Sequence, residues 1–235
     1  MIHNSINAII ASTTRRHGEQ AFEYMQEGVR ELYGDKTVLF IGYARPGGRT
    51  WKQYTDLITP TLSALGVNVL GIETFEDHKQ AIQEAEAVFV GGGNTFKLVH
   101  TLYAQDVLDT LKQRVLDGMP YLGSSAGANI TGPSMRTTND MPVMYPPSFK
   151  TLGLIPYNIN PHYQDPDPSS THMGETREMR INEFHAFNDT TVIGLREGSY
   201  LRLQNGRLHL RGDLTARVFR KGQEPEEMEG DLTKL

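Results

Sequence analysis

Short apolar runs alternate with amphipathic segments along the first half of this chain. Ile6 to Ala11 is apolar and ends in Ser12-Thr13-Thr14, so it reads as a first strand. His17 to Tyr33 carries Ala21, Phe22, Met25, Val29 and Leu32 at helical spacing, and Gly34-Asp35 closes it. Thr37 to Tyr43 is rich in β-formers without alternation, as expected of a strand covered on both faces. Trp51 to Leu65 is a helix ended by Gly66, Val67 to Leu70 a strand, and Asp77 to Ala85 a short helix. Ala87 to Val90 is a buried strand running into Gly91-Gly92-Gly93-Asn94. Helices over Thr95 to Tyr103 and Asp106 to Leu116 precede a strand at Tyr121-Leu122, and Ala126 to Ile130 is again helix-compatible.

That alternation predicts an α/β fold with three α/β/α layers and a mostly parallel sheet. Ligands of such sheets sit beyond the carboxyl ends of the strands. The pattern changes after Asn129. Thr131 to Lys150 reads as a long loop, Leu154 to Asn160 as a strand, Gln164 to Met173 as a loop and Glu175 to Phe187 as a helix. From Thr191 the chain reads as antiparallel strands, with a hairpin at Asn205-Gly206 between Tyr200-Leu203 and Arg207-Leu210. Gln223 to Leu235 is acidic and is expected to pack loosely. No linker, repeat or low-complexity segment divides the chain, so residues 1–235 are read as one domain.

Composition removes several classes. The 235 residues suffice for one α/β domain with a sizeable core. A net charge of -5 argues against nucleic acid as a partner. Cysteine is absent, which excludes a thiolate nucleophile, a disulfide and a cysteine-ligated metal. No signal peptide or bilayer-length apolar run is present, so a cytoplasmic location without membrane partners is expected.

The most informative residues are Gly123-Ser124-Ser125-Ala126-Gly127, a G-x-S-x-G pattern between a strand and a helix. In that context a sharp bend exposes the central hydroxyl at the strand end, and small residues on either side leave room for it. The same residues also fit an ordinary glycine-serine turn. A serine needs a base. Of the eight histidines, His3, His17 and His172 lie in loops or at the terminus. His78, His100 and His185 lie in expected helices and His209 in a hairpin. His162 ends the strand-like run Tyr157 to Pro161, expected in the second half of the same sheet and on the same edge as Ser125. Asp140 and Glu197 are both loop carboxylates able to orient that imidazole. Gly91-Gly92-Gly93-Asn94-Thr95 fits neither G-x-G-x-x-G nor a phosphate-binding loop. It can instead present the Gly93 N–H beside that of Ala126 as an oxyanion hole. His162, Asp165 and Asp167 are close in sequence, but Pro166 and Pro168 stiffen the chain between them, and no metal is assigned there.

Five blocks in order carry a family resemblance: Val90 to Phe96, Gly123 to Asn129, Arg136 to Pro142, Ile159 to His162, and Gly174 to Glu178. On them the chain resembles the serine peptidases of family S51, which include α-aspartyl dipeptidases and cyanophycinase relatives. The resemblance implies a fold like the class I glutamine amidotransferases (flavodoxin-like), with serine replacing their cysteine, plus the antiparallel strands at the C-terminus. It implies Ser125 as nucleophile, His162 as base, Gly93 and Ala126 as oxyanion donors, and Asp140 or Glu197 as the third member. Asp140 is favoured, because Thr137-Thr138-Asn139 can fix it. The implied reaction removes an N-terminal aspartate from a small peptide. Arg177 is the candidate partner of the aspartyl side chain. Asn94 is expected to contact the substrate, and Glu175 or Asp165 to accept from its amino group. No cofactor is implied, and the chain is expected to act as a monomer or homodimer.

Overall fold

A computed structural model describes residues 2–45, 47–169, 171 and 173–235; His172 lies outside them. The main sheet has seven strands in the order β3-β2-β4-β5-β1-β8-β9. Five are parallel: β1 (Ala8–Ala11), β2 (Val38–Ile41), β3 (Val69–Gly71), β4 (Ala87–Val90) and β5 (Tyr121–Ser124). The hairpin β8 (Ser199–Gln204) and β9 (Arg207–Gly212) joins antiparallel beside β1, turning at Asn205-Gly206.

The absence of alternation in the strands has a direct structural cause. In β2, Leu39 and Ile41 face one core and Val38 and Phe40 the other; Val88 and Val90 are likewise opposed to Ala87 and Phe89 in β4. The first core is covered by α3 (His78–Glu84), α4 (Thr95–Ala104) and α5 (Leu108–Leu116). The second is covered by α1 (Gln26–Tyr33) and α2 (Trp51–Ala64). The expected three layers are therefore present. The short α6 (Ala126–Asn129) follows β5 directly.

Four expectations are corrected. The helix expected over His17 to Tyr33 is shorter. Buried Phe22 turns left-handed at φ 67°, and a 3-10 turn at Glu23–Met25 leads into α1. The strand before His162, β6 (Asn158–Pro161), does not extend the main sheet. It belongs to a second sheet, β11-β10-β7-β6, with β7 (Val192–Leu195), β10 (Ala216–Phe219) and β11 (Glu226–Met228). Nor are all strands after Thr191 antiparallel, since β7 pairs with β6 in parallel. The acidic tail is also anchored: β11 pairs with β10, the Leu210 N–H donates to the Gly230 carbonyl, and Leu232 is fully buried. Ile159, Ile193, Leu195 and Ala216 of the second sheet join the first core. Tyr163, Val192 and Phe219 instead pack with Ile181 of α7 (Arg177–Phe187). No helix among the described residues is long and apolar enough to cross a membrane.

Candidate active site

The bend after β5 is tight because two glycines allow it. A Cβ on Gly123 would lie 2.3 Å from the Gly127 carbonyl oxygen, and one on Gly127 would lie 2.2 Å from that of Val90. Strand and helix therefore close on each other with no side chain between them. Ser125 sits at the apex with φ 55° and ψ -109°, a conformation that non-glycine residues rarely adopt. Its own N–H donates to the Ala11 carbonyl at 3.0 Å, which ties the bend to the end of β1. The result is a hydroxyl aimed out of the sheet rather than along it.

His162 follows β6 and is likewise left-handed, at φ 54°. Its N–H donates to the Ser12 hydroxyl at 2.7 Å. Ser12 is completely buried at the end of β1, so the two sheets are stitched together beside the site. The imidazole then lies between two partners. Nε2 is 2.8 Å from Ser125 Oγ, and Nδ1 is 2.6 Å from Glu197 Oε1. Glu197 belongs to the turn Arg196–Gly198, which carries the chain from β7 in the second sheet to β8 in the first.

The favoured carboxylate, Asp140, does not reach His162. Its Oδ2 accepts from the Thr95 N–H at 2.7 Å, from the Thr95 hydroxyl at 2.6 Å and from the Thr138 hydroxyl at 3.0 Å. The threonine beside it does fix it, but onto the start of α4. A carboxylate at a helix start meets unpaired N–H groups and the positive end of the dipole, which explains the preference. The rest of that loop grips β6. Thr137 donates to the Ile159 carbonyl and Asn139 to that of Pro161, the residue before His162. The Asn160 amide closes back on the Thr137 carbonyl and on Asn139.

Asn94 also has a place in the fold. Its Oδ1 accepts from the Lys97 N–H as the N-cap of α4, and its Nδ2 donates to the Met141 carbonyl. Both ends of its amide thus bond within the fold. The glycine loop before it lies against the serine: a Cβ on Gly92 would come 2.9 Å from Ser125 Cβ and 3.5 Å from Oγ. Among the described residues, neither the Gly93 nor the Ala126 N–H donates to a protein acceptor. Both remain available where charge would develop on a bound carbonyl.

Arg177 and Glu175 line a cavity of about 360 Å³ together with Gln164, Asp165, Asp167 and Arg180. Glu175 pairs with Arg180 at 3.4 Å. Asp165 is held bidentately by Arg196, at 2.6 and 2.9 Å. Arg177 has no carboxylate partner among the described residues. Burial, followed by the like charge of Arg180, pushes its guanidinium below the ordinary range, and Asp140 opposes them. An anion in this cavity would relieve that cost.

The sequence marks no bracing role for Ser12, Asn129 and Asn160, and suggests a different one for Asn139, the fixing of Asp140; the polar groups of all four hold the ends of β6 and His162 in place. Asn129 donates to the Ile159 carbonyl at 2.8 Å. The signal was present for Ser12, a polar residue directly after an apolar strand. Asn129 and Asn139 lie inside the motif blocks, where nothing local marks them as braces.

A serine on a strained strand-to-helix bend, bonded to an imidazole that is bonded to a carboxylate, defines a serine-type hydrolase. Comparison with known proteins gives the family. The model of peptidase family S51 matches residues 8–211. A Drosophila melanogaster protein named "Probable alpha-aspartyl dipeptidase" is 45% identical, covering 97% of each chain. Peptidase E of Streptomyces coelicolor is 45% identical over 98% of this chain and 95% of its own. The crystal structure of a peptidase from an acI-B1 Actinobacterium shares the fold, with a TM-score of 0.71 at 15% identity over 97% of this chain and 96% of that one. The chain belongs to peptidase family S51.

Proposed function

We propose that this protein is a serine exopeptidase that releases N-terminal aspartate from dipeptides and short peptides, as the names of its relatives suggest. The observation that carries this reading is the continuous line from Ser125 Oγ through the His162 ring to Glu197, at 2.8 and 2.6 Å. His162 Nε2 takes the Ser125 proton as Oγ attacks the first peptide carbonyl. Glu197 holds Nδ1–H and stabilises the imidazolium that forms. The Gly93 and Ala126 N–H groups receive the oxyanion. His162 returns the proton to the leaving amine, and an aspartyl ester remains on Ser125. Water, deprotonated by the same nitrogen, then releases aspartate. Arg177 takes the aspartyl side chain. An uncharged side chain would leave that guanidinium desolvated and unpaired, which is the source of selectivity. The cytoplasm is kept as the proposed location, to be checked by fractionation.

The test is a panel of Asp-X, Glu-X, Asn-X and Ala-X dipeptides, with β-Asp-Leu beside α-Asp-Leu. Wild type is expected to prefer α-Asp-X, and Ser125→Ala to lose hydrolysis. Arg177→Met is expected to cut the Asp-X over Ala-X preference by about a hundredfold. Hydrolysis surviving in Ser125→Ala refutes the mechanism. Equal wild-type rates on Asp-X and Ala-X refute the specificity, and a preference for β-Asp-Leu reassigns the linkage.

A further inference from the structure

The peptide unit between Gly92 and Gly93 sits against Ser125 and lacks the restraint that side chains normally give. Gly93 has φ 141°, open to glycine but not to other residues. A Cβ there would lie 2.3 Å from the Ala44 carbonyl oxygen. With glycine on both sides, the unit can rotate without a Cβ clash of its own. Its orientation matters because C=O and N–H point in opposite directions in a trans peptide. One orientation offers the Gly93 N–H to an oxyanion; the reverse offers a carbonyl oxygen, which would repel it.

One side chain fixes the choice. The Tyr54 hydroxyl donates to the Gly92 carbonyl at 3.1 Å. Tyr54 is 7% exposed, and its ring meets Phe40 edge-on with centroids 5.0 Å apart. The space it fills is opened by two further glycines. A Cβ on Gly42 would come 3.2 Å from the Tyr54 ring, and one on Gly91 would come 3.0 Å from its hydroxyl. The residue is placed by the first turn of α2, where Thr50 and Gln53 form a reciprocal capping box and the Tyr54 N–H donates to the Thr50 carbonyl. Burial raises the phenol above its ordinary range, so the hydroxyl keeps its proton and acts as a donor. The neighbouring backbone is bonded as well, Gly91 N–H to Ile41 and Asn94 N–H to Ala44. Of the two units between these bonds, the one that joins Gly92 to Gly93 is held by a side chain.

We propose that Tyr54 is a positioning residue for the oxyanion hole: by holding the Gly92 carbonyl away from the site, it keeps the Gly93 N–H turned toward Ser125. This rests on the reading of Gly93 as an oxyanion donor. Tyr54 bonds the Gly92 carbonyl, and its effect passes through one peptide plane.

Tyr54→Phe removes the hydroxyl and keeps the ring. Four quantities separate positioning from packing: kcat and KM on Asp-Leu, inhibition by the α-aminoboronic acid analogue of aspartate, inhibition by free aspartate, and the urea midpoint. The boronate forms a tetrahedral adduct on a serine and needs the hole, whereas free aspartate needs only the binding cavity. A five- to tenfold fall in kcat is expected, with KM near wild type. Boronate inhibition should weaken by the same factor while aspartate inhibition holds, and a crystal structure of the variant should show the Gly92–Gly93 unit reversed. The proposal is overturned if kcat and boronate inhibition stay within about twofold of wild type. It is also overturned if both inhibitors weaken together with a lowered urea midpoint, which would mark a packing role. Wild type and Ser125→Ala run beside it keep the two questions apart. Boronate inhibition and hydrolysis persisting in Ser125→Ala would defeat the underlying serine mechanism, not the role of Tyr54 alone.

Discussion

Glu197→Gln isolates the charge that faces His162. The substitution keeps a carbonyl oxygen to accept from Nδ1–H, so ring orientation survives while the negative charge is lost. The ionic centres of a pair at this contact are about 4 Å apart, which is worth about 1 kcal/mol in water and about 4 kcal/mol near a protein surface. Glu197 is 49% exposed and His162 36%, so solvent screens the pair substantially and the lower half of that range applies. About 2 kcal/mol of imidazolium stabilisation is then lost in the transition state, roughly a thirtyfold fall in kcat with KM little changed. Asp140→Ala should behave differently. It removes three bonds to the start of α4 and to Thr138, so about 2 kcal/mol of stability is lost while kcat falls less than in Glu197→Gln. Steady-state kinetics on Asp-Leu and urea denaturation of both variants decide the matter. The reasoning is refuted if Glu197→Gln retains kcat within about threefold while Asp140→Ala loses more than about a hundredfold with its urea midpoint unchanged.

Two further outcomes follow from close contacts and charges. Gly127→Ala places a Cβ 2.2 Å from the Val90 carbonyl oxygen, so it should cost about 3 kcal/mol and slow the labelling of Ser125 by a fluorophosphonate. A wild-type urea midpoint and labelling rate would show that the bend has slack. The Arg196 guanidinium, aided by Thr215 and Arg217 and opposed by burial, holds the Glu227 carboxyl at about 2 against an ordinary 4.5. A carboxyl depressed in the folded state stabilises it above the ordinary value, and that contribution is lost as pH falls from 4.5 toward 2. Glu227→Gln should therefore be about 1 kcal/mol less stable than wild type at neutral pH, a small gap because Glu227 is partly solvated. Near pH 3 less than half the gap should remain, and an undiminished gap there would contradict the assignment.

The main sheet was legible because its strands are covered on both faces. Val38 to Ile41 and Ala87 to Val90 have no polar face, and that is visible without coordinates. The Asn205-Gly206 hairpin was legible for a local reason, its turn chemistry. What failed depended on partners distant in sequence. Phe22 keeps helical spacing with Met25 and Val29, yet its backbone turns left-handed to bury the ring. Asn158 to Pro161 reads as a buried strand in any sheet, and four residues do not name their neighbour. Met228, Leu232 and Leu235 are outweighed in the sequence by the acids around them, although all three make apolar contacts of the tail.

The choice between Asp140 and Glu197 was beyond local reasoning for the same cause. Both are loop carboxylates at the correct edge; Thr138 does fix Asp140, but at the start of α4 rather than beside His162, while Thr137 and Asn139 bond β6 instead. The topology shows why Glu197 is the one in reach. Ser125 ends a strand of the main sheet, His162 ends a strand of the second, and Glu197 lies on the three-residue connection between the sheets. Arg196, beside it, binds Asp165 on the His162 side and Glu227 at the outer edge of the second sheet. The Ser12 hydroxyl closes the same seam from the first sheet. Each group in the line from serine to carboxylate is therefore set by how the sheets meet, and Asp140, spent on α4, serves that meeting only through the loop that grips β6. The order of residues in a chain carries no direct mark of such a seam. It is recovered only when both sheets are assembled.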